Sequence, residues 1–328
     1  MLLCGDVGAT TTRLALFHRG RPLEPVGFAA FPSRTAGGLP ALVRAYRATA
    51  PAPIEAACFA IAGPVLDGRA TTTNLPWVVS AADLAAEVEG APVHLLNDLE
   101  ALAWAVSLLP PHLLVDVIPG RAVETASVAV IAAGTGLGEA GLLFDGQRRV
   151  PVASEGGHAD FAPRSEREIA LLRFLLRRFP HVSYERLLSG AGLVHLLEFL
   201  RDVEMLPVPP ALAAALAAGD GAAAITQAGL TGTAPIATAA LDLFVAIYGA
   251  EAGNLALKLM ALGGVYVGGG IAPRILAKLR DGGFREAFLA KGRFRALLTD
   301  VPVRIVIDDR AGLFGAAQHA ETHGIGGG

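Results

Sequence analysis

Residues 5–13 run Gly5-Asp6-Val7-Gly8-Ala9-Thr10-Thr11-Thr12-Arg13, and residues 133–138 run Ala133-Gly134-Thr135-Gly136-Leu137-Gly138. Each stretch follows a short apolar run (Leu2–Cys4, Val128–Ala132) and leads into another (Leu14–Phe17, Ala140–Phe144), so each is a glycine-bearing turn between two strands. Gly8 permits a turn that a side chain would block. Successive backbone N–H groups and hydroxyls at Ala9, Thr10 and Thr11 can then surround phosphate oxygens. Asp6 stands at the strand end, where Mg2+ or its water shell can sit. The second stretch is not a Walker loop, because no Gly-Lys-Ser/Thr follows it. Nor is it a dinucleotide fingerprint, because a strand and not a helix comes next. Either loop alone also reads as a plain hairpin turn. Two comparable strand–loop–strand cradles, one in each half of the chain, are more specific and suit one ATP held by two lobes.

Working outward, the same order of elements occurs twice. Strands at Leu2–Cys4, Leu14–Phe17 and Val26–Phe28 precede a helix at Leu39–Ala50, a buried-type strand at Ala57–Ile61, a strand at Val93–Leu96 and a helix at Leu99–Leu109. Strands at Val128–Ala132, Ala140–Phe144 and Arg149–Val152 then precede a helix at Ser165–Arg178, where Ser165 and Glu168 form a capping box. A helical insertion follows over Pro210–Ala224, then a long helical pattern over Ala234–Leu262, in which Gly249 and Gly253 can admit another backbone. Val265–Val267 and Val303–Ile307 close the strand set, and Leu313–His319 ends as a helix. Strands in threes followed by alternating strand and helix predict an α/β fold with mixed sheets in two similar halves. The double proline Pro110-Pro111 marks the boundary, giving domains over 1–109 and 110–313.

The chain has 328 residues, 53 % apolar and 6 % aromatic, with a formal charge of −3. There is ample material for an aliphatic core, and no basic stripe that would suit nucleic acid or a membrane surface. Cys4 and Cys58 lie in apolar runs and read as buried free thiols of a reducing compartment. Asp6 interrupts the first apolar run, with no basic segment before it, so the expectation is no signal peptide and a cytoplasmic protein.

Five further segments carry groups suited to a sugar or a nucleoside. Asn97-Asp98 ends a strand and opens a helix, where an acid can take a proton from a hydroxyl or cap the helix. Glu155-Gly156-Gly157-His158 is a tight bend that turns an acid and an imidazole toward one point, unless His158 is bonded to backbone. Glu185 by itself reads as a solvated helix residue. Thr73-Asn74-Leu75-Pro76-Trp77 is a polar loop whose tryptophan is either a sugar platform or core. Gly268-Gly269-Gly270, between a strand and a helix, lets a flat adenine or ribose approach the backbone.

Taken in order, these segments resemble the bacterial glucokinases of the hexokinase and actin-like ATPase superfamily over almost the whole chain. Glu155 to Pro163 and Val265 to Arg274 are the most specific stretches. The resemblance implies two ribonuclease-H-like domains with mixed sheets flanked by helices and a cleft between them, residues 314–328 completing the smaller one. It implies ATP-dependent phosphorylation of glucose with Mg2+, by a protein that is commonly a homodimer. By the same likeness Asn97, Asp98, Glu155, His158 and Glu185 bind the sugar, with Asp98 as base. Asp6, Gly8, Ala9, Thr10 and Thr11 form one phosphate loop, Gly134, Thr135 and Gly136 the other, and Gly268, Gly269 and Gly270 border adenosine. Kinases for mannose or fructose, and more remotely a sugar-sensing regulator, are the alternatives. The cysteine-rich zinc motif of the related repressor and sugar-kinase branch is absent.

Three residues depart from the family pattern. Ala9 stands where a glycine is usual and is expected to strain a backbone needing φ > 0. Thr11 replaces an asparagine. Glu139 adds a negative charge beside the second loop unless strand alternation turns it away.

Overall fold

In the computed structural model β1 (Leu2–Val7) is the central strand of a five-stranded sheet. The structure describes residues 1–72 and 75–324, so Thr73 and Asn74 of the polar loop lie outside the described residues. β2 (Thr11–Phe17), β3 (Pro25–Pro32), α1 (Leu39–Thr49), β4 (Ala56–Ile61), the short strands β5 (Val65–Leu66), β6 (Arg69–Thr71) and β7 (Val78–Ser80), α2 (Ala81–Glu87), β8 (Val93–Asn97) and α3 (Asp98–Val106) follow. The order β3-β2-β1-β4-β8 combines an antiparallel meander with parallel additions on the other side of β1. β1 and β4 are apolar runs because helices cover both faces of the sheet. Cys4 lies opposite Cys58 in their register, and both thiols are free and buried. Trp77 packs in this core and is 8 % exposed. The C-terminal helix (Ala311–His323) packs against α3, β1 and β4.

The second half repeats this plan. β9 (Leu114–Ile118), β10 (Val128–Ala133), β11 (Leu137–Phe144) and β12 (Arg149–Ser154) lead to α4 (Glu166–Leu175), α5 (Gly190–Asp202), α6 (Pro210–Ala217), α7 (Gly221–Thr231) and α8 (Pro235–Leu259). β13 (Val265–Gly268), α9 (Leu276–Leu279), α10 (Gly283–Leu289), α11 (Arg295–Thr299) and β14 (Val303–Val306) complete it. The sheet order is β12-β11-β10-β13-β14-β9, with β10 antiparallel to β11 and parallel to β13, as β1 is to β2 and β4. α8 is apolar on most sides because it lies inside the core; it is the one described helix long and apolar enough to cross a membrane, and 78 % of that window is buried. At Gly249 and Gly253 a methyl group would overlap the carbonyl oxygens of Phe284 and Phe288, so these glycines admit the backbone of α10.

The two compact units are Met1–Leu113 with Pro151–Ala153 and Asp308–Gly328, and Leu114–Val150 with Ser154–Ile307. Three local expectations are revised. Pro210–Ala224 is not one helix: Gly219, at φ +89°, breaks the alanine run and α7 begins at Gly221. β11 starts at Leu137, not Ala140, because Ala133 pairs with Leu137 directly across the glycine turn. The Ser165 cap forms, but the Glu168 carboxylate reaches the N–H of Arg164 at 2.7 Å, one residue before the capping residue.

Candidate active site

In the first unit the turn after β1 is closed by the Gly8 N–H donating to Thr11 O at 3.1 Å. A Cβ on Gly8 would sit 3.1 Å from that same oxygen, which explains the glycine. Ala9 is not among the residues with positive φ, so its methyl group meets no left-handed strain and the expected difficulty there does not arise. Ser33, which no sequence motif singles out, pins the loop: its Oγ donates to Gly8 O at 2.8 Å, lies 2.9 Å from Thr12 Oγ1, and its N–H donates to Thr10 O.

The Asp6 carboxylate, 18 % exposed, faces Arg13 at 3.4 Å. Arg13 also bonds Asp309 at 2.7 Å, and the first turn of the C-terminal helix comes up to Asp6 at Gly312. Burial pushes the Asp6 carboxyl up to about 6, Arg13 holds it down, and Asp309 adds to the rise. Among the described residues no group of three or more acidic, histidine or cysteine side chains can hold a metal. A single carboxylate beside a phosphate loop fits Mg2+, which keeps waters and binds one or two carboxylates together with phosphate oxygens.

Asn97 and Asp98 lie at the carboxyl end of β8. The Leu99 N–H donates to Asn97 Oδ1 at 2.9 Å and to Asp98 Oδ1 at 3.0 Å, while Asn97 Nδ2 donates to Gly63 O at 3.1 Å. Asn97 is therefore the helix cap, and Asp98 is the first residue of α3 with its carboxylate at the positive end of the helix.

In the second unit the turn Gly134–Gly136 joins β10 to β11, and Gly134 N–H donates to Gly136 O at 2.8 Å. Gly268–Gly270 begins at the last residue of β13, the parallel neighbour of β10, and the Ile271 N–H donates to Ala133 O at 3.3 Å. Both glycine clusters thus share the carboxyl edge of this sheet, where α/β proteins bind ligands. The start of α5 joins them, with Gly190 N–H donating to Gly134 O at 3.0 Å. Sequence reasoning did not place this helix N-terminus next to the Gly134–Gly136 turn, although its cap Ser189 is a readable signal.

Glu185 departs most from its sequence reading. It is not a solvated helix residue: its Oε2 accepts the Leu137 N–H at 3.0 Å and lies 3.9 Å from His158 Nε2. A methyl group on Gly136 would overlap that oxygen. His158 is 57 % exposed on the short turn Gly156–His158, and Glu155 immediately precedes it. Glu139 does turn away from solvent: it is buried, and a methyl group on Gly156 would overlap its Oε2.

The Glucokinase family profile matches residues 3–323. A glucokinase of Nostoc sp. is 40 % identical over 97 % of this chain and 98 % of its own length. The crystal structure of a glucokinase from an Antarctic psychrotroph superposes with TM-score 0.83 at 33 % identity, covering 97 % of both chains. A glucokinase from Balamuthia mandrillaris, crystallised with glucose, shares the fold at TM-score 0.81 and 21 % identity, over 96 % of this chain and 92 % of that one.

Proposed function

Because this chain belongs to the glucokinase family, we propose that it transfers the terminal phosphoryl group of ATP to the 6-hydroxyl of glucose. The observation that carries this is the pair of equivalent glycine turns, after β1 and after β10, each in a unit that also presents sugar-suited polar groups at a strand or turn end.

In the first unit Asp98 is the general base. It takes the 6-hydroxyl proton as the oxygen attacks the γ-phosphorus; the new O–P bond forms as the bond to the ADP oxygen breaks, in line. Asn97, capping the helix and tied to Gly63, keeps the polypeptide around Asp98 in place. The backbone of Gly8–Thr11 and the Thr10 and Thr11 hydroxyls receive phosphate oxygens. Mg2+ supplies charge neutralisation for the triphosphate, with Asp6 as its protein-side carboxylate.

In the second unit Gly134–Gly136 and the N-terminus of α5 receive phosphate, and Gly268–Gly270 borders adenosine. Glu155, His158 and Glu185 accept and donate hydrogen bonds to sugar hydroxyls. Such a set discriminates: a sugar lacking one recognised hydroxyl leaves a site group unpaired. The two free thiols support a reducing, cytoplasmic setting. Assembly as a homodimer is supported by family resemblance alone, and sedimentation of the purified chain tests it.

The function is tested by one coupled assay of the purified protein, crossing glucose, mannose and fructose with ATP, ADP and polyphosphate. Glucose with ATP is expected to give the highest kcat/KM. A clear preference for another hexose or donor overturns the assignment.

A further inference from the structure

Glu139 and Glu251 are both buried, at 1 % and 0 % exposure. Alternation along β11 turns Leu137, Glu139 and Gly141 to one face, and Gly141 meets Leu259 of α8 there. Glu139 therefore lies over the helix that carries Glu251. Glu251 is well supplied with partners: Asn254 Nδ2 donates to its Oε2 at 2.8 Å, and Lys258 Nζ donates to its Oε1 at 3.3 Å. Asn254 also donates to Tyr184 Oη at 3.1 Å, and Lys291 Nζ donates to Ala250 O at 2.8 Å. Glu139 has no such set. Its Oε1 has no hydrogen-bond partner among the described residues, and its Oε2 lies directly beneath Gly156. Beside it, a methyl group on Gly157 would overlap Leu137 O, so the turn Gly156–His158 sits on β11 with no space between.

We propose that Glu139 is a positioning residue for the sugar-facing turn: its carboxyl, seated opposite Glu251, props Gly156 and so fixes where Glu155 and His158 point. The proposal rests on the assignment of Glu155 and His158 to the sugar. Two carboxylates in a dry site do not ionise together. Burial first, and Glu251 second, push the Glu139 carboxyl up to about 8. Near neutral pH this favours the uncharged carboxyl, which can donate a hydrogen bond. Lys258 of α8 opposes this rise, and Tyr248 of α8 also feels the Glu139 charge. Tyr184, on the same short turn as Glu185, and Lys291 also interact with Glu251, and Arg164 and Glu168 lie near Lys291. Ionisation of Glu139 sets two negative charges against each other beneath the turn and displaces it.

The test compares wild type, Glu139→Gln and Glu139→Leu by steady-state kinetics from about pH 6.5 to about pH 9.5 and by amide exchange over residues 154–161. A misplaced binding turn weakens sugar binding, so Glu139→Leu is expected to raise KM for glucose about tenfold while KM for ATP changes less than about twofold. Wild type is expected to show a rising glucose KM as pH passes about 8. Glu139→Gln keeps a neutral prop and should lack that rise. Protection over 154–161, taken relative to the intrinsic base-catalysed exchange rate at each pH, should fall in Glu139→Leu at neutral pH and in wild type at high pH, but not in Glu139→Gln. Unchanged glucose KM and exchange in Glu139→Leu, or an alkaline rise retained in Glu139→Gln, overturns the proposal. If wild type does not act on glucose, the assigned function fails, and the exchange measurement still decides the role of Glu139.

Discussion

The Leu137 N–H donates to Glu185 Oε2 at 3.0 Å. Through this bond a carboxylate assigned to the sugar braces the first residue of β11, immediately after the turn assigned to phosphate. One side chain therefore couples the positions of two binding elements within the second unit.

Removing that carboxylate should show in both substrates. Glu185→Ala leaves the Leu137 N–H without its acceptor, a loss of about 1–3 kcal/mol, which would be roughly five- to 150-fold if all of it fell on binding. KM for glucose and KM for ATP should both rise by amounts in that range. Glu185→Gln keeps an oxygen for Leu137, so its ATP KM should stay near wild type while its glucose KM rises. Initial rates at varied glucose and varied ATP separate the two.

Asp6 gives a pH signature on the nucleotide side. Its carboxyl is raised to about 6 by burial, with Arg13 holding it down. If Asp6 holds Mg2+ as proposed, it must be ionised to do so, and kcat/KM for ATP should fall as pH drops through about 6, since that ratio reports groups of the free enzyme. Arg13→Gln removes the charge that favours the carboxylate. The acid limb should then move to higher pH; a limb that stays in place, or moves down, contradicts the pairing.

Glu139 should also govern stability. The folded carboxyl holds its proton up to about pH 8, whereas an ordinary glutamate, as in the unfolded chain, loses it near 4.5. Between those values the folded state binds more protons than the unfolded state, so stability falls as pH rises. Thermal midpoints should therefore decline from about pH 5 to about pH 8 in wild type and decline less in Glu139→Gln, which has no carboxyl proton to lose. Melting curves monitored by circular dichroism at several pH values check this.

The two glycine turns were legible in the sequence because a turn between strands needs glycine locally and its flanking apolar runs are adjacent in the chain. The doubled strand order followed from the same runs. Glu185 was singled out only by family resemblance, and its contact with Leu137 was not legible, because Leu137 lies far away in sequence and meets it only once the chain folds. Ser33 and Asp309 escaped for the same reason, since their partners Gly8, Thr12 and Arg13 are brought to them by the β2–β3 pairing and the C-terminal helix. The break at Gly219 was masked by alanines on both sides that suit a helix equally well. Strand alternation could turn Glu139 away from the phosphate loop, but not reveal the second carboxylate waiting on α8.

Asp98 carries the central claim, and turnover of glucose with ATP by Asp98→Asn tests it most directly. Asparagine keeps an oxygen for the Leu99 N–H and the shape of the helix start, but cannot accept the hydroxyl proton. The expected result is a folded protein with glucose KM near wild type and kcat lowered by about 10²–10⁴. Wild-type turnover in that variant, with the helix intact, contradicts the assignment of Asp98 as the base.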